Sequence, residues 1–317
     1  MFTISNSNHN FTTILLQDLS NNTTVGIVPS CGATLQSFTV SYNNSTINII
    51  DFYDDAEDFE NNVTGKGFKS CKMAPFACRI KDAQYQLNDA TYTIEKFKLG
   101  SSAIHGLIYD APFTVINQSA DDTQAGVILM HQYLGTDKGY PFHFDCLVSY
   151  QLKTNNELTI KTSIVNKHSQ PIPVQDGWHP YFTFGGNIDD LLLEFQSAEH
   201  VLFDEELIPN GELKAYDEYA SLKKIGSTFF DDCFTLNFDT CQPMCVLRDN
   251  AQKIQLEIRP DKSYPYLQIY TPPHRESIAI ENLSAPPNAF NSGNHLIMLQ
   301  PGAEASFSTS YIIKALG

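Results

Sequence analysis

Four stretches of the chain gather side chains able to move or share protons, each beside turn residues and aromatics as at a pocket rim. KMAPFACRIKDAQYQL carries Arg79, and SAIHGLIYDAPF carries His105 ahead of a glycine. VQDGWHPYFTFGG sets His179 beside the only tryptophan, and SIAIENLSAPPNAFNSG ends an apolar strand on Glu281. Glutamate and histidine have reference pKa values of about 4.3 and 6.5, so near neutrality one is ionised and the other readily protonated. That combination suits general acid–base catalysis. Taken singly, each residue has a plainer reading. A histidine among aromatics is usually a packed core residue, a glutamate closing a strand is usually solvated, and a strand arginine usually forms a surface ion pair of little weight. Other chemistries lack their motifs: there is no G-x-S-x-G elbow, no H-E-x-x-H helix and no Walker lysine loop. Gly65-Lys66-Gly67 lacks the third glycine of a dinucleotide fingerprint and reads as a loop. Cys241-Gln-Pro-Met-Cys245 has no second pair, so its thiols read as strand-flanking.

The elements that must position these residues are strands. Period-2 alternation dominates, broken by turn residues. Phe38, Val40 and Tyr42 alternate up to Asn43-Asn44-Ser45, after which Ile47 and Ile49 resume. Tyr85 and Leu87 meet Tyr92 and Ile94 across Asn88-Asp89-Ala90. Phe144 to Leu152 share a face, and Thr154-Asn155-Asn156 turns into Leu158 to Ile164. Pro301-Gly302 turns into Ala305 to Ile313. Each is a hairpin candidate, because Asn, Asp and Gly tolerate turn dihedrals that other residues avoid. Only Asp54 to Asn61 and Glu212 to Leu222 could hold a turn or two of helix. With no linker or repeat dividing residues 1–317, the expectation is an all-β fold: a single large antiparallel β-sandwich with few short helices.

Composition narrows the partners. With 20 basic and 36 acidic residues the formal charge is −16, which excludes a nucleic-acid binder and disfavours anionic lipid, since both need a basic surface. Apolar residues make up 42% and charged residues 18%, enough to bury a large core. The longest apolar run, Ala125 to Met130, is far short of the roughly 20 residues of a membrane span. Seven cysteines, an odd number matching no disulfide scaffold, and no visible secretory signal point to the cytoplasm and free thiols. The Asn-x-Ser/Thr triplets at Asn10, Asn44 and Asn62 then read as chance.

Together the four stretches are far more specific than apart. In order and spacing, P-F-x-x-R-I, I-H-G, H-P-Y-F and I-E-x-x-x-x-P-P-N-A-F-N, with LQIYT at Leu267 to Thr271, DDCFTL at Asp231 to Leu236 and a final L-x-P-G, resemble the aldose 1-epimerase (galactose mutarotase) family. The likeness runs from GATLQSF at Gly32 to PGAEASFSTSY near the end. It implies a galactose mutarotase-like supersandwich and the interconversion of the α and β anomers of a free aldose such as glucose or galactose. That reaction opens the ring: the C1 hydroxyl loses a proton, the ring oxygen gains one, and the carbonyl is reattacked from its other face. It needs a base and an acid, expected on opposite sides of the sugar, and neither a metal nor an organic cofactor. The resemblance assigns the base to Glu281 and the acid to His179. Arg79, His105 and Asp231 would grip the sugar, with Asp232 as the alternative to Asp231 under a one-residue shift. Gln268 would orient sugar and base, and Tyr270 would share its face. Trp178 and Phe182 could offer the sugar an apolar platform or simply pack in the core. The expected partner is a small-molecule sugar, the expected assembly a monomer or homodimer.

Three features qualify this picture. Lys66, Lys69, Lys72, Arg79 and Lys81 fall within sixteen positions that hold no acidic residue. The run reads either as a solvated strand edge that blocks aggregation or as a contact for an anionic substituent on an aldohexose. Cys78 stands where the family commonly has Asn, and Thr183-Phe184 where it commonly has Asn-Leu, so the preferred sugar is left open. Two competing readings are a non-catalytic carbohydrate-binding or sensing protein, which has no reason to keep both His179 and Glu281, and a glycoside hydrolase using Glu281 and Asp231. The hydrolase leaves both histidines without a role.

Overall fold

In the computed structural model, which describes residues 1–42, 45–240 and 242–316, the regular secondary structure is almost wholly antiparallel strand. Two large sheets carry it. One has nine strands and includes His143–Lys153, Glu157–Asn166, Glu304–Ala315 and Ile254–Pro260. The other has eight: β1 Cys71–Met73, β2 Gly177–His179, β3 Tyr181–Phe182, β4 Ser197–Phe203, β5 Pro209–Ala215, β6 Asp231–Leu236, β7 Tyr266–Tyr270 and β8 Ile278–Leu283. Their order is β5-β4-β6-β7-β8-β2-β1, with β3 also paired to β8. A five-stranded sheet formed by residues 2–48 and three smaller sheets complete the set.

The inner faces of the two large sheets meet through alternate residues. Trp178 donates from Nε1 to Thr162 Oγ1 at 3.2 Å, Phe182 sets its ring edge-on to Tyr311 at 5.3 Å, and Thr309 donates to Asn282 Oδ1 at 2.9 Å. Trp178 and Phe182 are fully buried there, each worth about 1.5–3 kcal/mol relative to exposure. Both therefore belong to the core rather than to a platform for a ligand.

Turn chemistry holds the hairpins in register. Gln84–Leu87 and Ala90–Thr93 pair across Asn88 (φ 50°) and Asp89 (φ 61°), the two positive φ values that a tight two-residue turn requires. His143–Lys153 and Glu157–Asn166 pair across a turn with Asn155 and Asn156 at φ 62° and 56°. Thr34–Tyr42 pairs with Ser45–Asn48, while Asn43 and Asn44 of the expected turn lie outside the described residues, as does Cys241.

Two expectations are corrected. Glu212 to Leu222 is not helical: Leu213, Lys214 and Ala215 pair with Val201, His200 and Glu199, so cross-strand hydrogen bonding overrides a weak helical propensity. Pro301-Gly302 does not close a hairpin either. The strand before it, Ile297–Leu299, pairs with Ile172–Val174, while Glu304–Ala315 pairs with Glu157–Asn166 and Ile254–Pro260. The expected first helix is present as α1, Ala56–Asn62, capped by the Asp55 side chain accepting from the Asp58 N–H. No helix of the described residues is long and apolar enough to cross a membrane. All six described cysteines are free and buried.

Beneath the eight-stranded sheet lies an ion pair sealed from solvent. Lys72 on β1 stands directly opposite Trp178 on β2 and so shares its face. Its ammonium contacts the Asp176 carboxylate, donates to the Gly177 carbonyl at 3.0 Å and lies 4.6 Å from the centre of the Trp178 ring. Asp176 also accepts from the Tyr264 hydroxyl at 2.6 Å. Burial raises the Asp176 pKa and lowers that of Lys72.

Candidate active site

The cavity sits on the outer face of the eight-stranded sheet, and strand register builds its floor. Cys233 on β6 is opposite Gln268 on β7, and Gln268 is opposite Glu281 on β8. Gly177 on β2 is opposite Leu283, so continuing the ladder by two residues sets His179 beside Glu281. Directly opposed residues of an antiparallel pair point to the same side. Asp231 and Tyr270, two positions along their strands, therefore face the cavity too. Two loops close the wall. Arg79 pairs with Ile104, and its carbonyl accepts from the Asn288 N–H at 2.7 Å while the Cys78 carbonyl accepts from the His105 N–H at 2.9 Å. His105 adopts a left-handed φ of 60°, and Gly106 follows at 81°. A Cβ on Gly106 would collide with the Ala74 backbone, which is why the histidine is followed by glycine.

The resulting cavity has a volume of about 210 Å³. Arg79, His105, His179, Asp231, Gln268 and Glu281 all line it. Of the two neighbouring aspartates, Asp231 faces the cavity and accepts from Gln268 Nε2 at 3.1 Å, whereas Asp232 turns away to His200 at 2.8 Å. His179 Nε2 is 3.3 Å from Glu281 Oε1. The two are thus side by side rather than across a sugar ring, because neighbouring strands of one ladder leave no room for a pyranose between them.

Burial dominates the electrostatics. It pushes the Glu281 carboxyl well up, with the Asp231 charge adding to the effect, and holds His179 down to about 3. It also lowers His105, with His179 and Arg79 adding, and raises Asp231 against the pull of Arg79. Glu281 Oε2, His179 Nδ1 and Gln268 Oε1 are buried with no hydrogen-bond partner in the protein. Leaving such groups unsatisfied costs about 1–3 kcal/mol each, so the floor presents polar atoms free to meet a polar ligand.

Among the described residues Arg79 is the only lysine or arginine on the wall. The lysines of the basic run are spent elsewhere: Lys66 on Asp58 at 2.6 Å, Lys69 on Asp51 at 2.7 Å, Lys72 on Asp176, and Lys81 on Glu206 at 2.9 Å. Among the described residues no cluster of His, Cys, Asp or Glu is placed to hold a metal ion. Sequence reasoning singled out Trp178 and Phe182 and missed Tyr181, which lines the cavity and stacks on His179 at 5.1 Å and 6°. The signal was there: residues 179 and 181 of H-P-Y-F fall on one side of an extended chain. Phe203, the last residue of β4, and Leu207, in the β4–β5 connection, also line the cavity and gave no signal in the sequence.

Comparison with known proteins bears on the family and the fold. The family model described as aldose 1-epimerase matches residues 16–312. The aldose 1-epimerase of Streptococcus thermophilus is 25% identical over 331 aligned positions, covering 92% of each chain. The uncharacterized protein YihR of Escherichia coli K12 is 26% identical, covering 73% of this chain and 74% of its own. A galactose mutarotase-like protein from Clostridium acetobutylicum superposes with a TM-score of 0.86 at 20% identity over 99% of both chains, a likeness of fold.

Proposed function

The chain belongs to the aldose 1-epimerase family of sugar isomerases, and on that premise we propose that it interconverts the α and β anomers of a free, neutral aldohexose by acid–base ring opening. Glu281 acts as the base and His179 as the acid. The single observation that carries the reading is their 3.3 Å contact on the floor of the cavity. The two oxygens that exchange protons, the C1 hydroxyl and the ring oxygen, are bonded to the same carbon, so a carboxylate and an imidazole side by side can each reach one of them.

The pair needs only one proton between its members. In the reactive state Glu281 is ionised and His179 carries the proton. Glu281 takes the proton of the C1 hydroxyl, the electrons of that O–H bond form the carbonyl, the C1–ring oxygen bond breaks, and His179 protonates the departing oxygen. This leaves Glu281 protonated and His179 neutral, the distribution that burial favours. Rotation about the C1–C2 bond then presents the other carbonyl face. In closure His179 takes the proton from the attacking hydroxyl and Glu281 returns one to the carbonyl oxygen, restoring the starting state. Charge separation between two buried side chains is costly, so the step relieves the least comfortable state of the pair. Arg79, His105, Asp231 and Gln268 hold the remaining hydroxyls.

Polarimetry on freshly dissolved α-glucose and α-galactose tests the reading. Wild type is expected to accelerate equilibration, and Glu281→Gln to lose on the order of 10²–10⁴ in rate while still binding sugar. A Glu281→Gln variant as fast as wild type overturns the assignment.

A further inference from the structure

We propose that the preferred substrate is a deoxyaldose, bound with the ring position that lacks a hydroxyl against an apolar sector of the wall made by Cys78, Phe203 and Leu207. The inference rests on the acid–base reading above and names the sugar class for the same site.

The side chains able to grip hydroxyls cluster on the β-strand floor and the two loops, but this sector offers none. Cys78 belongs to an apolar cluster with Met73, Val201 and Cys233, against which Phe203 packs. Burial pushes the Cys78 thiol up, so it stays an S–H group, a weak donor and weak acceptor. Leu207 completes the sector at a structural cost: its φ of 59° lies in the left-handed region, which bulky residues avoid. The loop is held there by its neighbours. Asp204 Oδ1 accepts from the N–H groups of Glu206 and Ile208 at 2.9 and 3.1 Å, and Lys81 reaches across to Glu206. A sugar hydroxyl turned towards these three side chains would lose water and gain at most the weak Cys78 thiol as a partner, whereas a C–H or methyl group loses nothing there.

The test is kcat/KM, by polarimetry, for α-glucose and its 2-, 3-, 4- and 6-deoxy analogues with wild type, Cys78→Asn and Cys78→Ala. Wild type should favour one analogue over glucose by about tenfold or more. Asparagine tolerates the left-handed φ of 51° at this position and brings two donors and an acceptor. Cys78→Asn should therefore lower that preference at least about tenfold, while Cys78→Ala keeps it within about threefold. Phe203→Gln, on the opposite side of the sector, makes the same reversal if Cys78→Asn does not fold. A wild type that prefers glucose to every analogue overturns the inference, as does a preference that survives both polar substitutions. A wild type that equilibrates none of these sugars overturns the acid–base reading and the inference with it.

Discussion

Replacing Lys72 by Met would leave the Asp176 carboxylate fully buried with the Tyr264 hydroxyl as its one remaining hydrogen-bond donor among the described residues. Removing one partner of a buried pair costs about 3–5 kcal/mol, because the remaining charge has no compensation. The lost contact with Trp178 and the bond to the Gly177 carbonyl act in the same direction but overlap with that figure rather than adding to it. Asp176→Asn alone strands the ammonium and should cost a similar amount. The double variant Lys72→Met/Asp176→Asn leaves no orphaned charge, and its amide oxygen can still accept from Tyr264, so its cost should be no more than about 2 kcal/mol. Equilibrium urea unfolding followed by circular dichroism gives the four free energies and a coupling of at least about 2 kcal/mol. The pH dependence carries a second signature. Asp176 already has a raised folded pKa, and losing Lys72 raises it further. The penalty in Lys72→Met is thus full above that value and shrinks as the pH falls towards about 4, the unfolded value. A Lys72→Met protein within about 1 kcal/mol of wild type, or a double variant as unstable as the two singles summed, would refute the argument.

Glu281→Gln should gain stability while losing activity. The folded carboxyl has a raised pKa, so ionising it in place costs stability that is absent at low pH and appears as the pH rises past the unfolded value. Thermal melts should show the variant ahead by about 1 kcal/mol near pH 8 and level near pH 4, and a less stable variant at pH 8 would contradict this. The acid limb of kcat/KM should lie well below the ordinary 6.5 of histidine, because His179 is held down to about 3. A limb near 6.5 would mean that the acid sits outside the buried pair. Gly106→Ala should cost about 1–3 kcal/mol and lower kcat/KM, since the added methyl meets the Ala74 backbone at a left-handed φ. Stability and rate measured on that variant check both effects.

The legible parts of this molecule were those governed by local chemistry. Alternation along residues 144–164 and Asn residues at positive φ are properties of a few neighbouring positions, and the strands and turns they imply are present. The floor of the cavity was legible only residue by residue. That Glu281, Gln268 and His179 share one face follows from pairings between strands, one of them joining residues more than a hundred positions apart, which periodicity does not encode. The choice between Asp231 and Asp232 was undecidable for the same reason. Lys72 misled because its charge implied solvent, whereas its partner Asp176 lies over a hundred positions away and the two enter the core together. The stretch from Glu212 failed differently: its composition tolerates a helix, and a hairpin with β4 outcompetes it.

The sealed thiols have a practical corollary. Every described cysteine is shielded by at least nine-tenths, so an electrophilic dye reaches those six in the native fold at most through the cavity mouth beside Cys78. Its uptake at Cys146, Cys233 and Cys245 would instead count how often the sandwich comes apart. A chain of this composition thus carries its own opening clock, and a ligand that slows the tick at those sites would report tightening of the whole fold without touching them.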